Sequence, residues 1–263
     1  MAKYKEKKSK HKFKVPEDTT PPINKKTFHP KSIKPIQPLT ETQREFFQSC
    51  EDHPESHQCL IGSAGTGKTL LAIYAALNEV LEPTSPYEKL VIIRSVVTSR
   101  EIGILPGELE EKVAPFETPY VQLCDDLFEF KHSYENMKER GKIEFHTTSF
   151  IRGTTFHNAI ILFDEFQNES EHNISSVITR VGQHCKLYLA GDVKQSDLRY
   201  NKYDVTGFGE ILPVLKRMPD FFQIHEFGHN DIVRSAMVKQ FIIEKENQAD
   251  KDNINKLPLH ITG

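Results

Sequence analysis

The sequence predicts an α/β protein in which a mainly parallel sheet is flanked by helices, and the prediction rests on three observations. Residues 62–69 read Gly-Ser-Ala-Gly-Thr-Gly-Lys-Thr, matching G-x-x-x-x-G-K-[ST] at every required position. A short apolar run at 58–61 precedes them and a stretch rich in Leu and Ala follows at 70–81, the strand, loop, helix setting of a phosphate-binding loop. Second, the most apolar run in the chain, 158–163, stops abruptly at Asp164-Glu165. Third, strand-like runs alternate with helical segments, and such alternation implies a parallel sheet covered on both faces.

The 263 residues suit one α/β domain with an appendage, or at most two small domains. Residues 1–38 hold eleven lysines against Glu6, Glu17 and Asp18, together with six prolines and few large apolar side chains. Their balance is +8, so with a net charge of −3 for the chain, residues 39–263 carry −11. A composition like that of 1–38 cannot bury enough surface to offset ordering entropy, and a disordered or extended tail is expected there. Its lysines either attract nucleic acid by neutralising phosphates or only keep the chain soluble. The folded domain is expected over 39–250, with 251–263 as a C-terminal tail.

Thr40-x-x-Gln43 reads as a capping box, with Phe46 and Phe47 in the next turn, so a helix opens the domain. After the loop helix, the β-branched run 89–94 reads as a buried strand, followed by a loop with Gly103, Pro106 and Gly107. Residues 115–130 are helical in pattern, and the charged stretch 137–141 turns into a strand at 143–146. Central strands are expected at 158–163 and 186–190, with a helix after Glu165. A last strand at 221–227 leads to a helix at 231–245. There is no internal repeat.

Composition excludes several classes. An apolar fraction of 37% and a charged fraction of 27% describe a protein with a polar surface. No apolar stretch reaches membrane-spanning length and the lysine-rich start lacks the apolar core of a secretory signal, so no membrane partner and a cytoplasmic location are expected. Cys50, Cys59, Cys124 and Cys185 form no C-x-x-C pair, and Pro54 between His53 and His57 argues against a metal-binding helical face.

The chemistry follows from the loop. Glycines let its N–H groups turn inward around a triphosphate, and the helix behind presents the positive end of its dipole. The expected contacts with ATP run through Gly62, Ser63, Ala64, Gly65, Thr66, Gly67, Lys68, Thr69 and Leu70. Lys68 reaches the β- and γ-phosphates and Thr69 holds Mg²⁺. Ligands of parallel sheets gather at the carboxyl ends of the strands, which puts Asp164-Glu165 on the same edge. Asp164 is the candidate to bind Mg²⁺ through water and Glu165 to polarise the attacking water, although such a pair alone is often just a helix N-terminus. Gln195, beyond the strand ending in Gly191-Asp192, either touches the γ-phosphate or its water, or belongs to a plain turn. Gln43 either closes its capping box or reads the adenine amino group.

These motifs, taken together with 105–112 (Leu-Pro-Gly-Glu-Leu-Glu-Glu-Lys), 150–155 (Phe-Ile-Arg-Gly-Thr-Thr), 164–168 (Asp-Glu-Phe-Gln-Asn), Asp197-Leu198 and 231–234 (Asp-Ile-Val-Arg), resemble PhoH-like ATPases in content and order over about residues 40 to 245. The resemblance implies a RecA-like P-loop NTPase fold related to the first motor domain of superfamily 1 helicases. It implies Mg-dependent ATP hydrolysis associated with RNA or single-stranded nucleic acid, with Gln43, Lys68, Thr69, Asp164, Glu165, Gln195 and Arg234 forming or completing the site. Two departures stand out: Arg94-Ser95 where the family usually has Arg-Pro, and Phe166 where it usually has Ala. The folded region starts with the ATPase helix, so the nuclease domain of some relatives and intrinsic RNA cleavage are not expected.

Two rival classes are a P-loop small-molecule kinase, which needs an acceptor pocket and an arginine-bearing lid, and an ATP-driven protein-binding switch. Asp164, Glu165 and Gln195 suit water activation better than a kinase. One domain's worth of chain supplies no second motor domain. A homo-oligomer, a closed hexameric ring, is therefore expected to lend an arginine in trans, with Arg234, Arg180, Arg152 and Arg199 as candidates.

Overall fold

The computed structural model describes residues 28–95, 109–148, 151, 153–192 and 207–255. Six strands form one sheet: β1 (His57–Gly62), β2 (Lys89–Arg94), β3 (Ile143–Thr147), β4 (Ala159–Asp164), β5 (Cys185–Gly191) and β6 (Phe222–Phe227). Their order is β3-β2-β4-β5-β1-β6 and every pairing is parallel, as expected of a RecA-like α/β fold. The helices are α1 (Glu41–Asp52), α2 (Lys68–Val80), α3 (Leu109–Leu127), α4 (Ser133–Glu139), α5 (Glu171–Ile178), α6 (Phe208–Lys216) and α7 (Ala236–Asn255).

Side chains alternate across a strand, so each central strand feeds two cores. Leu60, Leu90, Ile92, Ile160, Leu162 and Tyr188 face the layer of α1, α2, α3 and α4. Cys59, Ile61, Val91, Ile93, Ile161, Phe163, Leu187 and Leu189 face the layer of α5 and α6. Burial on both faces explains why these strands read as continuous apolar runs instead of alternating ones. Each fully buried Leu, Ile or Phe contributes about 1.5–3 kcal/mol.

Registration sets the position of the site. Ile61 pairs with Gly191 and Gly62 with Phe227, so the loop after β1 leaves the sheet between the ends of β5 and β6. Asp164 pairs with Ala190, which in turn pairs with Leu60. The acidic pair therefore stands level with the loop, one strand removed, with β5 between them.

The expected strands are present, but several other expectations require correction. The stretch 28–38 is not all tail. Ile33 is buried and bridges Phe128, the Lys34 N–H donates to the Leu127 carbonyl at 2.7 Å, and Phe28 packs on Phe128 and Phe130. Its apolar residues are too few to show a period, but a proline-rich chain, here turning through a short 3₁₀ helix at Pro30–Ser32, loses little entropy when it lies along a core. The helix expected at 115–130 begins at Leu109, so Pro115 and Pro119 lie inside it and not at its start.

The supposed turn 137–141 is mostly helix α4, whose first N–H groups, those of His132 and Ser133, are satisfied by the Asp125 carboxylate of α3. A cap donated by another helix leaves no local signal. Helix α6 was not anticipated. The last helix begins at Ala236 and not near Asp231, which lies in a 3₁₀ turn (His229–Asp231), and it runs to Asn255, past the expected boundary at 250. No helix among the described residues is long and apolar enough to cross a membrane.

Candidate nucleotide site

The loop between β1 and α2 is held in shape by its glycines. Gly62 has φ 130°, and a Cβ there would fall 1.9 Å from the Phe227 carbonyl oxygen, so only glycine lets β1 and β6 stay paired up to the loop. The loop borders a cleft of about 280 Å³ lined by residues 64–70, Leu123, Asp164, Glu165, Gly191, Asp192 and Arg234. Cleft and sheet edge coincide with the expectation for a parallel sheet.

Lys68 is folded back into the loop. Its Nζ donates to the carbonyls of Gly62 at 2.9 Å and Ser63 at 2.7 Å, and lies 3.3 Å from Thr66 Oγ1. Burial pulls the ammonium below its usual pKa, opposed by the carboxylates of Asp192, Glu165, Asp164 and Glu246. A cation ringed by acceptors at the floor of a cleft is suited to exchange them for phosphate oxygens.

Asp164 is buried at the end of β4, and both of its oxygens are engaged. Thr69 Oγ1 donates to Oδ1 at 3.0 Å and the Tyr120 hydroxyl donates to Oδ2 at 2.7 Å. Burial, with Glu165 next to it, pushes its pKa up to about 6, while the two hydroxyls and Arg94 pull the other way. The converging hydroxyl and carboxylate are hard oxygen donors of the kind Mg²⁺ takes together with waters and phosphates, so the residues fit that ion.

Glu165 follows in the left-handed region at φ 55°, a conformation that costs a non-glycine residue free energy and here turns the chain sharply away from β4. Its Oε2 accepts from Gln167 Nε2 at 2.6 Å, and Gln167 Oε1 accepts from the Asp192 N–H at 3.0 Å. Gln167 thus ties the general-base candidate to the end of β5. Gly191 makes this possible, since a Cβ there would lie 2.7 Å from that same Oε1.

The two departures from the family pattern have structural partners. The Ser95 N–H donates to the Asp164 carbonyl at 3.2 Å and its hydroxyl to Glu169 Oε1 at 2.9 Å, neither of which a proline could do. Phe166 is buried against Phe163 and Phe208 on the α5 and α6 side, where its bulk fills core volume.

Gln43 does not line the cleft. Thr40 Oγ1 accepts from the Gln43 N–H, but the Gln43 side chain accepts from Leu39 N at 2.8 Å, not from Thr40, and donates to the Thr66 carbonyl at 3.0 Å. It braces the phosphate loop from behind. Gly62 and Ser63 likewise form the back of the loop, and the Ser63 hydroxyl donates to buried Glu246 of α7 at 3.0 Å. Arg234 is in the cleft of its own chain, its Cγ 3.0 Å from where a Gly65 Cβ would stand, while Val233 N–H donates to the Gly65 carbonyl at 3.0 Å.

Arg180 lies at the opposite edge of the sheet, its carbonyl accepting from Phe156 N–H just before β4. Gln195, Arg152 and Arg199 lie outside the described residues, as do Asp197 and Leu198. Sequence reasoning gave no role to Tyr120, Gln167 or Glu246. Gln167 at least stood beside the acidic pair, whereas Tyr120 and Glu246 are distant in the chain and carried no local signal.

A family model described as PhoH-like protein matches residues 35–245. A PhoH-like protein of Synechocystis sp. is 32% identical over 210 residues, covering 79% of this chain and 61% of the relative. Protein PhoH2 of Bacillus subtilis is 37% identical over 164 residues, covering 61% and 37%. The chain therefore spans less than two thirds of the length of either curated relative. Among solved structures, the HK97 bacteriophage large terminase aligns with a TM-score of 0.46 at 13% identity, covering 86% of this chain and 50% of that one. The large terminase of the thermophilic bacteriophage D6E in complex with ADP aligns with a TM-score of 0.45 at 15% identity, covering 78% and 49%.

Proposed function

We propose, from the premise that this chain belongs to the PhoH-like protein family, that it binds ATP and hydrolyses it with Mg²⁺, coupling turnover to RNA or single-stranded nucleic acid. The observation that carries the reading is the convergence, on one cleft, of Lys68, Thr69, Asp164, Glu165 and Arg234 from three separate chain segments. In this reading Lys68 gives up its loop carbonyls for the terminal phosphates, and the backbone N–H groups of the loop cradle them. Thr69 and Asp164 would hold Mg²⁺, which offsets phosphate charge when bound. Glu165, oriented by Gln167, takes a proton from water at its free carboxylate oxygen. Arg234, exposed and aimed from the edge of the cleft, supplies a further positive charge to the transferred group.

The nucleic-acid part of the proposal draws support from the resemblance to PhoH-like ATPases and from the +8 balance of residues 1–38, suited to neutralising phosphates. The finer proposal places the protein in the cytoplasm as a homo-oligomeric ring, a hexamer. Of the candidate arginines among the described residues, Arg180, at the far edge from its own loop, is the one placed to serve a neighbour's site. Gln195 remains the proposed γ-phosphate sensor.

Measuring Mg-dependent ATP turnover of the wild type and of Lys68→Ala, with and without single-stranded RNA or DNA, tests the proposal. Turnover that is lost in the variant and raised by nucleic acid is expected. Equal turnover in both proteins would overturn the site, and turnover indifferent to every nucleic acid would favour a protein-binding switch, a reading the −11 balance of residues 39–263 also suits.

A further inference from the structure

A phosphate-binding loop gathers positive potential, yet this one carries a buried carboxylate against its back. Glu246 of α7 is only 3% exposed. Its Oε2 accepts from Ser63 Oγ at 3.0 Å and lies 2.8 Å from His229 Nε2. Ser63 is also the residue whose carbonyl receives Lys68 Nζ at 2.7 Å and Thr66 Oγ1 at 3.0 Å. One residue therefore joins Glu246 to the lysine that must reach the phosphates.

The rest of the segment after β6 wraps the same loop. The Ser63 N–H donates to the Phe227 carbonyl at 3.0 Å, the Val233 N–H to the Gly65 carbonyl at 3.0 Å, and Ile242 of α7 lies 3.4 Å from where a Gly65 Cβ would stand. Helix α7 is thus fastened to the loop at Ser63 through Glu246 and passes close to Gly65 at Ile242.

Building on the nucleotide-site reading above, we propose that Glu246 is a positioning residue that holds Ser63 and the retracted Lys68 in place and so restrains the affinity of the loop for phosphates. Two effects act in the same direction. The carboxylate favours the lysine charge where it now rests, and its own charge opposes an incoming polyphosphate. The second grows with the number of phosphate charges on the ligand, and the first opposes only ligands whose β- or γ-phosphate draws Lys68 out. A purely structural role for Glu246 would not depend on ligand charge, and that difference makes the idea testable.

The experiment measures the dissociation constants of ATP, ADP and AMP, with Mg²⁺, for wild type, Glu246→Gln and Lys68→Ala by calorimetry. Glutamine keeps an oxygen to accept from Ser63 and removes the charge. Glu246→Gln is expected to tighten ATP by about three- to tenfold, ADP by less and AMP hardly at all. Glu246→Ala, which also removes the charge, carries the same graded expectation if the glutamine variant does not fold. Equal shifts for all three nucleotides, no shift, or weaker ATP binding would overturn the inference while leaving the site standing. If Lys68→Ala binds ATP as well as wild type does, the nucleotide site itself falls, and the inference with it.

Discussion

The Tyr120 hydroxyl donates to Asp164 Oδ2 at 2.7 Å, joining helix α3 to the end of β4 across 44 residues of chain. With Thr69 on Oδ1, it fixes the orientation of a buried carboxylate that would otherwise have no donor on that oxygen. Tyr120→Phe keeps the packing and removes one bond. The expected loss is about 1–3 kcal/mol of folding stability in denaturant titration, with a higher Mg²⁺ requirement for turnover. Unchanged values for both would show that the contact does not orient Asp164.

The acidic pair should divide by role. Glu165→Gln should retain ATP binding and slow hydrolysis by ~10²-fold or more, as expected on removing a general base. Asp164→Asn should instead raise the Mg²⁺ concentration needed for half-maximal turnover. Steady-state assays over a Mg²⁺ series distinguish the two, and reversed phenotypes would mean the roles are exchanged.

Truncation should be tolerated only to a point upstream of Phe28. Removing residues 1–27 is expected to leave thermal stability nearly unchanged, because the contacts made by Phe28, Ile33 and Ile36 are kept. Removing 1–38 strips those side chains from the α3 and α4 layer and should lower stability by about 2–5 kcal/mol, a magnitude typical of lost core side chains. Calorimetric melting of the two truncated forms decides the matter. If residues 1–27 bind nucleic acid, the first truncation should also make the salt dependence of RNA affinity shallower.

His225 supplies a pH dependence. Its ring lies on the edge strand β6, with Nε2 2.8 Å from Gln58 Oε1 and its plane edge-to-face with Phe46. Burial lowers its pKa from 6.5 to about 4. The folded state therefore favours the neutral ring. The associated stability is fully present above pH 6.5 and is lost as pH falls through about 4, to the extent of about 3 kcal/mol. His57, also lowered by burial, acts in the same direction. Denaturant titrations between pH 7 and pH 4 should show a flatter loss of stability for His225→Gln than for wild type. An identical slope would remove His225 from the account.

The arginines should separate in mixing experiments. Combining Lys68→Ala subunits with Arg234→Ala subunits is expected to give no recovery of ATPase activity, since both groups serve one subunit's cleft. Combining Lys68→Ala with Arg180→Ala should restore partial activity if Arg180 completes a neighbour's site. Light scattering that finds fully active monomers would end the ring proposal.

The sequence by itself determined the parallel sheet, the phosphate loop and the acidic pair. Their signals are local: an apolar run buried on both faces, glycines at fixed spacing, carboxylates at a strand's end. Only the tertiary structure decided what surrounds them. Tyr120 on Asp164, Gln167 between Glu165 and Asp192, Glu246 behind Ser63 and Asp125 capping α4 are pairings whose partners are set by the docking of separate elements. Gln43 shows the boundary most clearly. Its place at a helix start was legible, but its hydrogen bond to the Thr66 carbonyl depends on how α1 lies against the loop. The same holds for Phe28 and Ile33, whose burial comes from α3 and α4 folding beneath them and not from any period of their own. A hydrogen bond or an apolar contact between distant segments is specified by geometry in three dimensions, and a linear pattern carries only the part of that geometry that repeats along the chain.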